Sequence, residues 1–106
     1  MNVDKKDVMQ GLGGDDDFMA LTDADLVCGG PGADTIMSGQ GDDTAYGGSE
    51  ADDVNGDEGN ERLFGESGND TLNGGPGDDR LDGGSGRDEC VGGGGHDTFI
   101  SCERRH

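Results

Sequence analysis

An acidic residue returns at every ninth position through most of this chain: Asp16, Asp25, Asp34, Asp43, Asp52, Glu61, Asp70, Asp79, Asp88 and Asp97, with Asp7 in phase upstream. No nucleophile with a neighbouring histidine accompanies the row, and there is no Gly-x-Ser-x-Gly motif, so acid–base or covalent catalysis has no visible home and no enzyme is expected. Carboxylates brought close by folding repel one another, and a hard divalent cation placed between them reverses the sign of that interaction. Cation binding is the chemistry this spacing suits.

The elements that position the acids share the same period. Cut from Gly11, residues 11–100 form ten nine-residue units without an insertion, from GLGGDDDFM to GGGGHDTFI. Of the 24 glycines, 22 fall at positions 1, 2 and 4 of the unit, the other two at position 3, and none at positions 5 to 9. The first part of each unit therefore needs unusual backbone angles and the rest does not, which predicts a turn followed by an extended segment. Position 8 carries Phe18, Val27, Ile36, Ala45, Val54, Leu63, Leu72, Leu81, Cys90 and Phe99, preceded in phase by Met9. One apolar residue between mostly polar neighbours predicts a three-residue strand with a single inward side chain.

The unit G-G-x-G-x-D-x-U-x, with U a large apolar residue, is matched in full by GGPGADTIM at 29–37 and GGPGDDRLD at 74–82. It resembles the RTX (hemolysin-type) calcium-binding nonapeptide repeat, and the resemblance covers the ten units. It implies an all-β, right-handed parallel β-roll of about five coils, with two repeats per coil and Ca²⁺ between stacked turns. It also implies that turn carbonyls complete the cation shell, at Gly30, Gly32, Gly39, Gly41, Gly75, Gly77, Gly84, Gly86, Gly93 and Gly95. The expected organisation is a lead-in or capping segment at 1–10, the roll at 11–100 and a tail at 101–106.

Elementary electrostatics reaches the same ligand. If two units make a coil, acids eighteen residues apart stack at roughly the 4.8 Å strand spacing. The pairs 16/34, 34/52, 52/70 and 70/88 on one side, and 25/43, 43/61, 61/79 and 79/97 on the other, allow up to eight Ca²⁺. Eight such ions would bring +16 against a formal charge of −18. Mg²⁺ fits less well, because it demands octahedral geometry and keeps its water. With 27% hydrophobic residues and no Trp, the chain without cations has the composition of a disordered polypeptide, so folding is expected to accompany binding.

Departures from the motif grade the sites. The unit at 20–28 has Ala20, Leu21 and Asp23 where glycine is expected; Glu50, Asp57 and Glu66 replace glycines in the middle, and Glu61 replaces Asp. The tightest sites are expected among Asp70, Asp79, Asp88 and Asp97, and fractional occupancy around Glu61. His96 stands at an outward, variable position, and no paired spacing makes a zinc site of His96, His106 and the cysteines. Cys90 and Cys102 either form a disulfide, if the tail folds back to cap the roll, or remain two thiols. Cys28 is too distant to join either and is a free thiol or an intermolecular link. Outward position 9 lines up Cys28, Tyr46 and Phe64 on one face, and Met19 and Met37 on the other. These stripes are either self-shielding or a surface for self-association.

An acidic chain with a sequence pI near 4.1 repels phosphates, so neither nucleic acid nor membrane insertion is expected. The start, MNVDKKDVMQ, lacks the apolar stretch of a cleavable signal peptide. Similarity to the family implies a secreted, extracellular bacterial protein or a fragment of one; secretion then requires either another export route or a sequence that begins after its signal. The expected role is a calcium-responsive folding and secretion module; the alternative is a calcium-dependent surface or matrix interaction protein.

Overall fold

The computed structural model describes residues 2–3, 8–10, 13–14, 17–20 and 26–105. They are short strands joined by turns. One seven-stranded parallel sheet contains β1 (Asn2–Val3), β3 (Asp17–Ala20), β5 (Thr35–Met37), β7 (Asp53–Asn55), β9 (Thr71–Asn73), β11 (Glu89–Val91) and β13 (Arg104–Arg105). A six-stranded parallel sheet contains β2 (Val8–Gln10), β4 (Leu26–Cys28), β6 (Thr44–Gly48), β8 (Arg62–Glu66), β10 (Arg80–Asp82) and β12 (Thr98–Ile100). Consecutive strands alternate between the sheets, so the chain winds as a solenoid with the period expected of a β-roll. Register confirms it: Thr35 faces Asp53, Asp53 faces Thr71 and Arg62 faces Arg80, each eighteen residues apart. The continuous stretch 26–105 makes about four turns. Ten units predict about five, and the first two units lie partly outside the described residues.

Each strand from β4 to β12 gives one side chain to the interior. Val27, Ile36, Ala45, Val54, Leu63, Leu72, Leu81 and Cys90 are all 0% exposed, and Phe99 packs against them. The pleat explains this, since position 8 points inward only if positions 7 and 9 point out. The core is thus narrow, built from one small or medium side chain per strand of the two sheets.

The turns stack backbone on backbone. Gly77 has φ +118°, and a Cβ there would collide with the carbonyl oxygen of Gly59 in the coil before. Gly94 has open space around its would-be Cβ. Gly77→Ala is therefore expected to destabilise the folded protein by roughly 1–3 kcal/mol, while Gly94→Ala stays within about 0.5 kcal/mol of the parent. Thermal melts at equal cation concentration check both. Where acids replace glycine, the stack still imposes the left-handed conformation: φ is 71° at Glu50, 66° at Asp57 and 71° at Glu66. The middle units keep the fold under backbone strain of order 1 kcal/mol per residue.

The end of the roll is capped. Cys90 and Cys102 form a disulfide with Cα atoms 6.0 Å apart, the first of the two alternatives left open by their spacing. Cys28 is a free, half-buried thiol. Tyr46 and Phe64 do line up across β6 and β8, with rings stacked at 4.8 Å and 11°, each half-covered. On the other sheet Met37 is 39% exposed. The side chain of Met19 lies outside the described residues.

Candidate metal centre

Two local rules place the acids. The glycine turn brings the chain back sharply, and position 6, the residue just before the strand, faces the same way as the glycines rather than the solvent. Asp34, Asp43, Asp52, Glu61, Asp70, Asp79 and Asp88 are consequently between 1% and 3% exposed. Asp97, in the last unit, is half-buried. Asp16 and Asp25 lie outside the described residues.

Neighbouring coils then tie one oxygen of Asp52, Asp70, Asp79, Asp88 and Asp97. The Asp34 N–H donates to Asp52 Oδ1 at 2.8 Å, Asp52 N–H to Asp70 Oδ1 at 2.8 Å, and Asp70 N–H to Asp88 Oδ1 at 2.8 Å. On the other side Glu61 N–H donates to Asp79 Oδ1 at 2.8 Å and Asp79 N–H to Asp97 Oδ1 at 2.9 Å. These bonds fix the carboxylates without satisfying them. The second oxygens, Oδ2 of Asp52, Asp70, Asp79 and Asp88, are buried with no hydrogen-bond partner, and so are both Oε1 and Oε2 of Glu61. Burying an ionised oxygen in this state costs several kcal/mol unless a counter-charge meets it.

Main-chain oxygens converge on the same places. The point that a Cβ on Gly47 would take is 2.7 Å from Asp52 Oδ2 and 3.1 Å from the Gly65 carbonyl oxygen. On Gly65 the corresponding point is 2.5 Å from Asp70 Oδ2 and 2.7 Å from the Gly83 oxygen. On Gly56 it is 2.9 Å from both Glu61 Oε2 and the Gly74 oxygen. A side chain at position 1 would fill this cradle, which accounts for the glycines there. Ser38 is the described exception, and its buried Oγ also lacks a hydrogen-bond partner.

Of the turn glycines expected as ligands, Gly30, Gly41, Gly75 and Gly77 turn their carbonyl oxygens toward the next coil, against Gly48, Gly59, Gly93 and Gly95. Gly32, Gly84 and Gly86 receive the carbonyls of Gly14, Glu66 and Gly68 in the same way. Gly39 donates its N–H to Asp57 Oδ2 at 3.3 Å. The position-1 carbonyls of Gly65, Gly74 and Gly83, and the Ser38 hydroxyl, were not legible from the repeat; the conspicuous constancy of glycine at position 1 was the available signal. Position 5 was also missed. Its side chains form a second ladder running the opposite way, with Asn60 N–H on Asp42 Oδ1 at 2.9 Å, Asp78 N–H on Asn60 Oδ1 at 2.8 Å, and His96 N–H on Asp78 Oδ1 at 2.8 Å. The His96 side chain itself is exposed.

Protonation states follow from this burial. Burial pushes the carboxyls of Asp52 and Asp70 up to about 7 and that of Glu61 up to about 10, with neighbouring acids adding to the rise. Asp79 and Asp88 are raised for the same leading reason. Among the described residues no group of three or more His, Cys, Asp or Glu side chains converges on one point. Any cation here would be held by carboxylate and main-chain oxygens together, a hard donor set of the kind that suits Ca²⁺ and that softer metals do not favour. The orphaned, buried oxygens fit such an ion.

Comparison with known proteins agrees with this donor set. The family model of the RTX calcium-binding nonapeptide repeat matches four times, over residues 4–27, 29–63, 55–90 and 64–99. Neither the search of curated proteins nor that of solved structures found a match.

Proposed function

Since the chain belongs to the RTX calcium-binding nonapeptide repeat family, we propose that it is a calcium-responsive folding module, ordered by several Ca²⁺ ions held between successive turns. The observation that carries this reading is the row of buried carboxylate oxygens with no hydrogen-bond partner at Asp52, Glu61, Asp70, Asp79 and Asp88. Each ion would take Oδ2 of one acid and the carbonyls of the flanking turns, and Asp34, Asp43 and Asp97 extend the two rows. Asp16 and Asp25 would continue them toward the start of the chain. The role belongs outside the cell, where calcium is millimolar and weak sites fill. Membership of the family supports a secreted protein, and among the described residues no helix is long and apolar enough to cross a membrane.

Calorimetric titration with Ca²⁺ tests the proposal. Several ions are expected, and a count under about four would contradict occupancy of the middle units, while no saturable binding would end the proposal altogether. A second reading, self-association through the apolar position-9 stripes, draws support from the aligned Tyr46–Phe64 pair and exposed Met37. Light scattering separates the two: a folding module stays monomeric in calcium, and an interaction protein forms a calcium-dependent oligomer.

A further inference from the structure

The repeats end at Ile100, and continuing their phase would put the next position-6 residue at His106, which is not an acid. The chain instead takes a short cut. Strand β13 pairs with β11 so that Glu89 faces Arg104, fifteen residues on rather than eighteen. The shortened turn carries Glu103, whose Oε2 accepts the Asp88 N–H at 3.1 Å. That is the bond Asp88 Oδ1 accepts from Asp70 one coil earlier. Glutamate's extra methylene spans what the missing three residues leave open.

Ser101 takes the part of a position-1 glycine. Unlike the described glycines at that position it is left-handed, with φ 52°, but its carbonyl oxygen lies 2.5 Å from the point a Cβ on Gly83 would take. Asp88 Oδ2 lies 2.6 Å from the same point. Asp88 is 2% exposed, and that oxygen has no hydrogen-bond partner. A small cavity of ≈ 200 Å³ is lined by Asp70, Arg87, Asp88 and Glu103 among others. The donors that a following coil would supply to Asp88 are thus present, but from Ser101 and Glu103, which lie outside the repeats.

We propose that the C-terminal cap completes one more cation site, in which Asp88, the Ser101 carbonyl and Glu103 hold a hard divalent ion, Ca²⁺ by preference, and that the Cys90–Cys102 disulfide keeps this site assembled. Cys102 stands between the two cap donors and is bonded to a core residue that is 0% exposed, so the tether fixes Ser101 and Glu103 together. A two-residue strand, the Glu103–Asp88 contacts and the burial of Cys102 in the core also hold the cap. The site rests on the repeat-bound calcium proposed above, since it is the last step of the same ladder.

Residue-resolved NMR titration with Ca²⁺ tests it, comparing the full-length parent with Glu103→Gln and with Cys102→Ser. Glu103 is exposed, so its substitution leaves the core intact. In both variants the amides of Asp88 and Ser101 are expected to respond at a calcium concentration about tenfold or more above that of the parent, because a charged ligand is lost or untethered. The amides of Asp34 and Asp52, one or more coils away from the cap, keep the parental midpoint. An unchanged terminal midpoint in Glu103→Gln overturns the cap site while leaving the repeat sites standing, and an unchanged midpoint in Cys102→Ser alone overturns the role of the disulfide. If no amide of the parent responds to Ca²⁺, the repeat reading fails, and the cap site with it.

Discussion

Removing calcium is expected to abolish the folded structure, giving a far-UV circular dichroism spectrum of a disordered chain in excess chelator and a β-rich spectrum in roughly 5–10 mM Ca²⁺, about ten times the dissociation constant of a weak extracellular site. The reason lies in how little else holds the roll together. Its interior receives only one side chain per strand from two sheets, and one strand contributes Ala45 and another Cys90. Against this stand seven acids that are 1–3% exposed and arranged in two stacked rows. Without a counter-ion each folded coil brings like charges together in a desolvated place, so the free energy of binding becomes the free energy of folding. Titrating Ca²⁺ back should restore the spectrum coil by coil, because each ion joins two neighbouring coils. Identical spectra with and without the cation would show that the strand ladder and the narrow core suffice.

Acid should partly replace calcium. The carboxyls of Asp52 and Asp70 titrate near 7 in the folded chain against 3.8 for an ordinary aspartate, and that of Glu61 near 10 against 4.5. A raised folded-state value means that the fold binds these protons more tightly than the unfolded chain does. The metal-free roll is therefore most favoured below pH ~4, where both states are protonated, and loses stability as pH rises through about 7 and, for Glu61, about 10. Protein stripped of metal on a chelating resin should gain β-structure as the pH falls from 8 to about 4. Calcium affinity should move the other way, weakening as the same carboxyls are protonated, since only the ionised form is a ligand. A stripped chain whose spectrum is independent of pH over that range would contradict the buried, cation-free carboxylate row.

Much of this arrangement was legible because the repeat is strict. A nine-residue phase that puts an apolar residue at position 8 of every strand predicts which side chain is buried, and Val27, Ile36, Leu63, Leu72 and Leu81 are all found there. The acids at position 6 stack as the eighteen-residue spacing requires, as the bonds from Asp52 N–H to Asp70 and from Asp70 N–H to Asp88 show. What escaped the sequence depends on direction rather than periodicity. Position 5 varies among Asp, Asn, His, Arg and Ala, so nothing marks it as a ladder until Asn60 Oδ1 is seen accepting from Asp78. The Gly65 and Gly83 carbonyls carry no side-chain signature, since every residue has one. Glu103 is out of phase, and only the shortened turn imposed by the cap brings it to Asp88. The replaced glycines show the converse. Glu50, Asp57 and Glu66 look like failures of the motif, yet stacking holds them in the conformation that glycine would take.

The central claim is that the oxygens left unsatisfied beside the turns are cation ligands. Crystals grown in CaCl₂ and measured at a wavelength where calcium scatters anomalously test it most directly. The account predicts anomalous peaks in two rows, each peak beside an acid's free oxygen and the carbonyl of the following coil, as between Asp52 and Gly65 or between Asp70 and Gly83. Well-ordered turns with no anomalous peak beside Asp52, Asp70 or Asp79 would contradict it.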